Sequence, residues 1–372
     1  MARNDDLLIP LSGFLMRRMS RRGFTLLEMM IAVAIGMIVV AGLYGLFNNQ
    51  LKSFVYQDLQ MEMHQNARLS LDVLSRTARQ AGMGTSGVTA GNFGYGGSAD
   101  QLLPAIISYD GTGPNGSDAV TFVTMDPDLV MMTQAGIVAQ CGTTDLTFEM
   151  GVLHNTARIS QYSAGEMVMC YDYASAGGYR SFLWQITTNG NSTSGLLGVE
   201  DGTAFDDYES SCPSTENLPA SMVCSRAEVA TFYIDADDDG VGAGTPAHPV
   251  LMMDLDFESP DADDIPLVDN IEDLQIQYCF HGESCETDPS GGHWDESIDN
   301  GSDGVTTNDA DDVFMVRFSV VVRSSREDLS HAYPGVRIDL ANNTGVTSVE
   351  DNYYRQVNVT DVTVRNMRIQ HM

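Results

Sequence analysis

The sequence predicts an α+β fold in which one long N-terminal helix packs on a mainly antiparallel β-sheet head with long loops. Three observations predict it. Residues 24–47 are apolar with a single charge, an apolar stripe at helical spacing continues to about residue 80, and short β-branched runs between turn residues follow. The chain therefore changes from helical periodicity to the pattern of strands and turns.

Residues 24–47 are long and apolar enough to span a bilayer, because about 20 apolar residues suffice. Glu28 is the only charged residue in this stretch. The preceding segment, 1–23, carries five arginines against two aspartates, which keeps that side cytoplasmic. A secretory signal peptide would place its apolar core before the cleavage site. Here the apolar stretch would be retained, and a plain signal-anchor helix with one tolerated acid is the alternative.

The helix is predicted to continue as an amphipathic helix over residues 48–82. Its apolar positions recur at intervals of four and three residues, namely Leu51, Val55, Leu59, Met63, Ala67, Leu71, Leu74 and Ala78. Gly82 and Gly84 end the pattern. A helix from residue 24 to about residue 80 would be roughly 80 Å long, and its second half would pack on the head.

Residues 83–372 are predicted to form the β-rich head. Turn residues bound seven apolar or β-branched runs, at 119–124, 165–171, 181–186, 228–234, 274–280, 313–323 and 353–364. The run at 313–323 is the clearest strand. The run at 353–364 alternates as a strand does, without indicating which face is buried.

The composition is strongly acidic. The formal net charge is −32 for the whole chain, and removal of 1–23, with five basic and two acidic residues, makes it −35. This balance disfavours non-specific binding to nucleic acid, whose phosphates require lysine and arginine. Lys52 is the single lysine. We interpret the acidic surface as an adaptation for solubility or a saline habitat.

Six cysteines lie on the exported side, at Cys141, Cys170, Cys212, Cys224, Cys279 and Cys285. An even count in an oxidising compartment predicts disulfides, with 15 connectivities open. Nearest neighbours give Cys141–Cys170, Cys212–Cys224 and Cys279–Cys285. The alternative for the last pair is a zinc cluster with His281 and His293, whose spacing matches no standard zinc motif.

The sequence also suggests a calcium site. Asp235, Asp237 and Asp239 precede Gly240 in a D-x-D-x-D-G pattern, so that alternating carboxylates could converge on one ion. Position twelve is Pro246 rather than glutamate, which excludes an EF-hand proper. An exposed acidic turn is the alternative, and the stretch 299–304 is equally ambiguous. No esterase elbow, zinc-protease motif or phosphate loop is present, so we expect no catalysis.

The run Arg21-Arg22-Gly23-Phe24-Thr25-Leu26-Leu27-Glu28, followed by the apolar stretch, resembles the class III leader of type IV pilins and type II secretion pseudopilins. The resemblance implies that prepilin peptidase cleaves after Gly23 and that Phe24 is N-methylated. It also implies that Glu28 pairs with the Phe24 amine of an adjacent subunit. Such a pairing would offset the roughly 2.5–3.5 kcal/mol that a carboxylate costs in hydrocarbon.

Further segments resemble the PilW minor pilins. They are the end of the long helix at 63–84, the segment 268–278 and the C-terminal strands at 320–324, 354–357 and 364–366. The resemblance implies a pilin-like fold and a non-enzymatic minor pilin that primes or caps type IV pilus assembly. It implies single-pass insertion in the inner membrane and later display on the pilus or cell surface. Other minor and major pilins and a tip adhesin are the expected partners.

Two other functions remain open from the sequence. A J-type minor pseudopilin of a type II secretion system would share the helix and the large head. A calcium-dependent surface-binding module could use the pilin anchor for display only. Residues 85–227 carry cysteines and match no known pattern, so a function specific to this protein could reside there.

Overall fold

A computed structural model describes 14 stretches of the chain. They are residues 25–83, 105–133, 145–147, 156–172, 180–191, 194–199, 222–236, 248–255, 264–280, 285, 294–298, 313–327, 340 and 351–364. The chain divides into two compact units, Met1–Asp58 and Leu59–Met372. One helix, α1, covers Leu26–Gln80 and contributes to both units. It is followed by a turn in which Gly82 has a φ of 71°, a left-handed conformation that glycine adopts without steric cost.

In the first unit, α1 is long and apolar enough to cross a membrane, and its most apolar 18-residue window is entirely exposed. The predicted stripe positions Leu51 and Val55 are exposed as well. In the second unit the helix has a buried face, made by Leu59, Met63, Ala67, Ser70, Leu74, Ser75 and Ala78. Five of these seven residues belong to the predicted stripe, so the helical pattern locates this face correctly.

Twelve strands are present in the described part of the second unit, and all pair antiparallel. They are β1 (Ile106–Tyr109), β2 (Ala119–Met132), β3 (Asp145–Thr147), β4 (Met167–Asp172), β5 (Arg180–Asn191), β6 (Leu196–Val199), β7 (Val223–Asp235), β8 (Val250–Asp254), β9 (Ile265–Asp269), β10 (Ile271–Phe280), β11 (Val313–Arg323) and β12 (Arg355–Thr363). A short helix α2 covers Thr156–Ile159 and a 3₁₀ turn covers Pro114–Gly116. The predicted α+β class is confirmed.

The strands form two sheets. The large sheet has nine strands in the order β1-β2-β7-β4-β5-β6-β3, and β8 and β9 extend it from β7. The small sheet has the order β10-β11-β12. Each of the seven predicted runs overlaps one of these strands.

The main core joins the helix to both sheets. Met63, Ala67 and Leu74 of α1 share one buried cluster with Phe122 and Phe232 of the large sheet and with Ile276, Phe318 and Val320 of the small sheet. Phe122 packs on the other two aromatic rings at centroid distances of 6.0 Å from Phe232 and 6.3 Å from Phe318. A separate cluster lies among β2, β4, β5, β6 and β7 and contains Trp184, Cys170 and Cys224.

The nearest-neighbour disulfide pairing is wrong for Cys170 and Cys224, which form a disulfide with each other. The two residues lie directly opposite in the β4–β7 register, with their Cα atoms 4.0 Å apart. Pairing by sequence distance fails because the β4–β7 contact joins residues 54 positions apart. Cys141 and Cys212 lie outside the described residues.

Cys279 and Cys285 form the predicted disulfide across six residues. This bond also rules against the alternative zinc cluster, because both sulfur atoms are used. The histidines of that cluster, His281 and His293, lie outside the described residues.

We predict that peptide mapping without reduction will find Cys170 linked to Cys224. Replacing both by alanine should lower the free energy of unfolding by about 4 kcal/mol, against about 2 kcal/mol for the Cys279–Cys285 pair, because the longer loop loses more entropy when it is closed. Urea titration of the two double variants measures the difference. A peptide linking Cys141 to Cys170, or a larger loss from the short loop, would contradict the pairing.

Candidate functional site

The start of α1 is capped by Thr25, a residue of the run 21–28. Thr25 accepts a hydrogen bond on its Oγ1 from the Glu28 backbone N–H at 3.3 Å, the first half of a Thr-x-x-Glu capping box. This contact begins the helix immediately beside the predicted mature N-terminus. The Glu28 side chain is exposed within the chain. Gly23 and Phe24 lie outside the described residues, so cleavage and methylation there stay predictions.

Large apolar side chains cover the surface of α1 in the first unit. Leu27, Met30, Ile38 and Phe47 are all more than 60 % exposed. Gly36, Gly42 and Gly45 face open space, since a Cβ added at any of them would meet nothing within 4 Å. An apolar surface of this extent requires lipid or other helices as a partner, and the three glycines leave room for a close helix.

In the second unit three side-chain contacts fix α1 to the edge of the small sheet and to the turn before it. The Asn66 side-chain amide donates to the Asp269 carbonyl at 3.0 Å. The hydroxyl of Ser325 donates to the Glu62 carboxylate at 2.7 Å, and Gln356 Nε2 lies 3.1 Å from His64 Nδ1. These exposed polar contacts lie beside the buried apolar face and supplement its packing on the sheet.

The chain passes from the large sheet to the small sheet through a single residue, Asn270. It lies between β9 and β10, is buried and has a φ of 64°, a conformation that asparagine tolerates better than most residues. Its carbonyl accepts a hydrogen bond from the Arg323 backbone N–H at 2.9 Å. The turn is thus held from β11 on one side and, through Asp269, from α1 on the other. The Asp269-Asn270 pair before the strand-like run at 274–280 is the sequence signal for this turn, and the turn was not predicted.

Arg355 forms a charged clamp at the start of β12. Its guanidinium binds both carboxylate oxygens of Glu272, with Nε–Oε2 at 2.5 Å and NH2–Oε1 at 2.9 Å. It also donates two hydrogen bonds to Asp351. These bonds hold the pKa of the Asp351 carboxyl below its usual value, although burial of the carboxyl acts to raise it. The bidentate geometry ties β12 to β10 across the intervening strand.

Asp118 links the large sheet to the small one from the loop before β2. Its carboxylate accepts hydrogen bonds from the backbone N–H groups of Gly111 at 2.9 Å and Ile276 at 2.7 Å. Burial is the largest influence and raises the pKa of Asp118 to about 7, against the lowering effect of the two N–H donors. The charges of Asp110 and Asp273 add to the rise.

The acidic loop is only partly within the described residues. Asp235 is the last residue of β7, whereas Asp237, Asp239 and the stretch 299–304 lie outside the described part of the chain. Within the described residues no three His, Cys, Asp or Glu side chains are grouped so that they could hold a metal ion. Calcium binding therefore stays a prediction.

The structure is that of a protein with an exposed apolar N-terminal helix whose later part, from Leu59, packs in a β-sheet head. Two family models match the chain. The prokaryotic N-terminal methylation motif matches residues 18–44, and Type IV Pilus-assembly protein W, PilW, matches residues 231–366. The predicted resemblance to PilW-family pilins with a class III signal is confirmed. No curated protein and no solved structure matches the chain.

The matched segments coincide with the structural features described above. The methylation motif covers the cap at Thr25, Glu28 and most of the exposed apolar helix. The PilW match covers the last part of β7 and all of β8 to β12, including Asn270 and Arg355. The two families consist of pilin and pilus-assembly components, which are generally non-enzymatic. The matches support a minor pilin of a type IV pilus that is anchored in a membrane.

Asn270→Gly should retain more stability than Asn270→Ala, by about 1 kcal/mol, because only glycine relieves the strain of the left-handed conformation. Both variants remove the same side-chain amide, so the comparison isolates the backbone. Thermal or urea unfolding measures the difference. Equal stability of the two variants would mean that the turn does not require this conformation.

The stability of the head should fall as the pH rises from about 4 to about 7 because of Asp118. Its pKa is raised from 3.8 in the unfolded chain to about 7 in the folded one, so the folded state favours the protonated carboxyl. The stabilising contribution is complete below pH 3.8 and is lost as the pH rises through 7, with a total of about 4 kcal/mol.

Urea titrations of the wild type and Asp118→Asn across this pH range test the effect of Asp118. Subtracting the free energy of unfolding of Asp118→Asn from that of the wild type removes the contribution of other carboxylates. Asp351 is one of these, and its lowered pKa makes the head more stable as the pH rises. A difference that does not change with pH would contradict the assignment.

Proposed function

We propose that this chain is a minor pilin that primes or caps the assembly of a type IV pilus. The observation that carries the proposal is the division of α1. Its first part exposes apolar side chains that require lipid or other helices, and residues 59–80 are fixed in the core of the head. One continuous helix is therefore suited to couple a membrane or filament bundle to a large β-sheet domain.

The proposed sequence of events begins at the inner membrane. The arginine-rich segment 1–23 stays on the cytoplasmic side, and prepilin peptidase removes it after Gly23. Phe24, the residue immediately before the Thr25 cap, then becomes the N-terminal residue, and its amine is methylated. Glu28 lies within the first turn of α1, so its carboxylate would meet the amine of a neighbouring subunit in a helical bundle.

The head favours low copy number at one end of a filament. Residues 83–372 make up most of the chain, and such a head would crowd its neighbours if it were repeated along a shaft. A position at the tip or in the priming complex avoids this crowding. There the head can contact other minor pilins and a tip adhesin.

Replacing Glu28 by alanine should abolish incorporation while leaving membrane insertion intact, because the change removes a charge from an apolar helix. Glu28→Asp should retain part of the function, and Met29→Ala, one residue away, should behave as the wild type. The readout is the number of surface pili by electron microscopy, with the chain quantified in membrane and sheared-pilus fractions.

The same strains separate the other functions. Loss of pili with type II secretion intact supports the proposal. Loss of secretion with pili intact would make the chain a J-type pseudopilin. If neither changes in a deletion strain, the proposal fails, and the calcium-dependent module of Asp235, Asp237 and Asp239 becomes the function to test.

A further inference from the structure

The small sheet has one long edge that no described residue pairs with, on β12. β12 has nine residues and contains no proline, and β11 is the one strand that its backbone pairs with in the described part of the chain. The opposite edge, on β10, is occupied: the Asp118 N–H donates to the Leu274 carbonyl, and Tyr278 exchanges two backbone hydrogen bonds with Asp295.

The edges of the large sheet are protected in ways that β12 is not. β1 and β3 have four and three residues. β9 has five residues and carries Pro266, which lacks an N–H donor. Short strands and proline are the means by which proteins prevent unwanted strand addition. Because β12 lacks these protective features, it is the edge strand best suited to pair with a strand of a partner protein.

The register shows which backbone groups of β12 point outward. β11 and β12 pair without a register shift from Arg323↔Arg355 to Met315↔Thr363. Just beyond the two ends, the Ser324 N–H donates to the Tyr354 carbonyl at 2.8 Å and the Val364 N–H donates to the Phe314 carbonyl at 3.0 Å. Hydrogen-bonded and non-bonded pairs alternate in an antiparallel ladder. The even-numbered residues therefore bond to β11, and residues 355, 357, 359, 361 and 363 direct their N–H and C=O groups away from it.

The side chains along this edge suit a neutral strand. Residues 356–360 carry no charge, and Val359 is 52 % exposed. The charges on either side are already used, since Arg355 binds Glu272 and Asp351, and Asp361 binds Arg317 through two hydrogen bonds of 2.7 and 3.0 Å. An incoming strand would thus meet valine side chains and outward-facing backbone groups. The charges of Arg355 and Asp361 at either end are neutralised by ion pairs within the chain.

We propose that the β12 edge binds, by strand addition, a neutral β-branched segment of a different pilin-type subunit. The edge lies beside α1, because Gln356 of β12 contacts His64 of the helix. Subunits that pack through their helices are therefore brought next to β12, and in this respect the inference rests on the proposed function. A second copy is disfavoured, because each chain carries a formal net charge of −32.

The experiment uses the full-length chain in its own cells, with the photo-crosslinking residue p-benzoylphenylalanine at Val357. The matched control position is Glu228, an exposed residue of β7 in the large sheet. We expect an adduct at Val357, and not at Glu228, with a chain that has its own N-terminal methylation motif. Mass spectrometry of the adduct identifies that chain.

Val359→Pro tests whether the backbone edge makes the contact. Proline removes the outward N–H of residue 359 without removing a β11–β12 hydrogen bond, so adduct yield should fall at least tenfold. Val359→Thr keeps the N–H and the branched shape and should retain the adduct. Val359→Lys keeps the N–H but adds a charge at the edge, so it should also lower the adduct yield. This variant replaces Val359→Pro in the test if the proline variant melts at a lower temperature than the wild type.

The absence of an adduct at Val357, an adduct with a second copy of this chain, an adduct with a protein that lacks the methylation motif, or an undiminished yield in both edge variants would each overturn the proposal. Pilus counts in the deletion strain keep this result separate from the proposed function. Pili lost on deletion without an adduct at Val357 would refute strand addition alone. Pili unaffected by deletion would refute the proposed function itself.

Discussion

The second unit depends on the burial of one face of α1 between two sheets. Leu59, Met63 and Leu74 are almost fully buried, and each contributes on the order of 1.5–3 kcal/mol through removal of its side chain from water. The helix face completes the cluster that the two sheets share, whereas a second cluster of the large sheet forms without it. The same helix carries the exposed apolar surface of the first unit, so α1 contributes to both units of the chain.

Polar contacts give this core its particular geometry. Asn66 positions the helix, Asn270 turns the chain from the large sheet into the small one, and Asp118 holds the two sheets together through backbone N–H groups. The Asn66 and Asp118–Ile276 contacts join residues 203 and 158 positions apart. Asp118 is buried, so the loss of its two N–H donors would be costly, and these hydrogen bonds favour the observed arrangement of the two sheets.

The helix and the long strands could be predicted from the sequence because their signals are local. The apolar intervals on α1 locate its buried face, and the β-branched run at 313–323 coincides with β11. The short strands β1, β3, β6, β8 and β9 were not predicted, since three to five residues hold too little periodicity. The Cys170–Cys224 disulfide and the role of Asn270 depend on which strands become neighbours, and no local pattern contains that information. The cap at Thr25 was not predicted, although the Thr-x-x-Glu pattern at residues 25–28 is a local signal for it.

Mass spectrometry of sheared, washed pili tests most directly whether the chain is a processed pilin. We expect peptides of this chain in that fraction, at low copy relative to the main subunit, with an N-terminal peptide that begins at N-methylated Phe24. This result would place the processed helix inside a filament. Recovery of the chain only in the membrane fraction, with residues 1–23 still attached in a strain that processes its other pilins, would contradict the account.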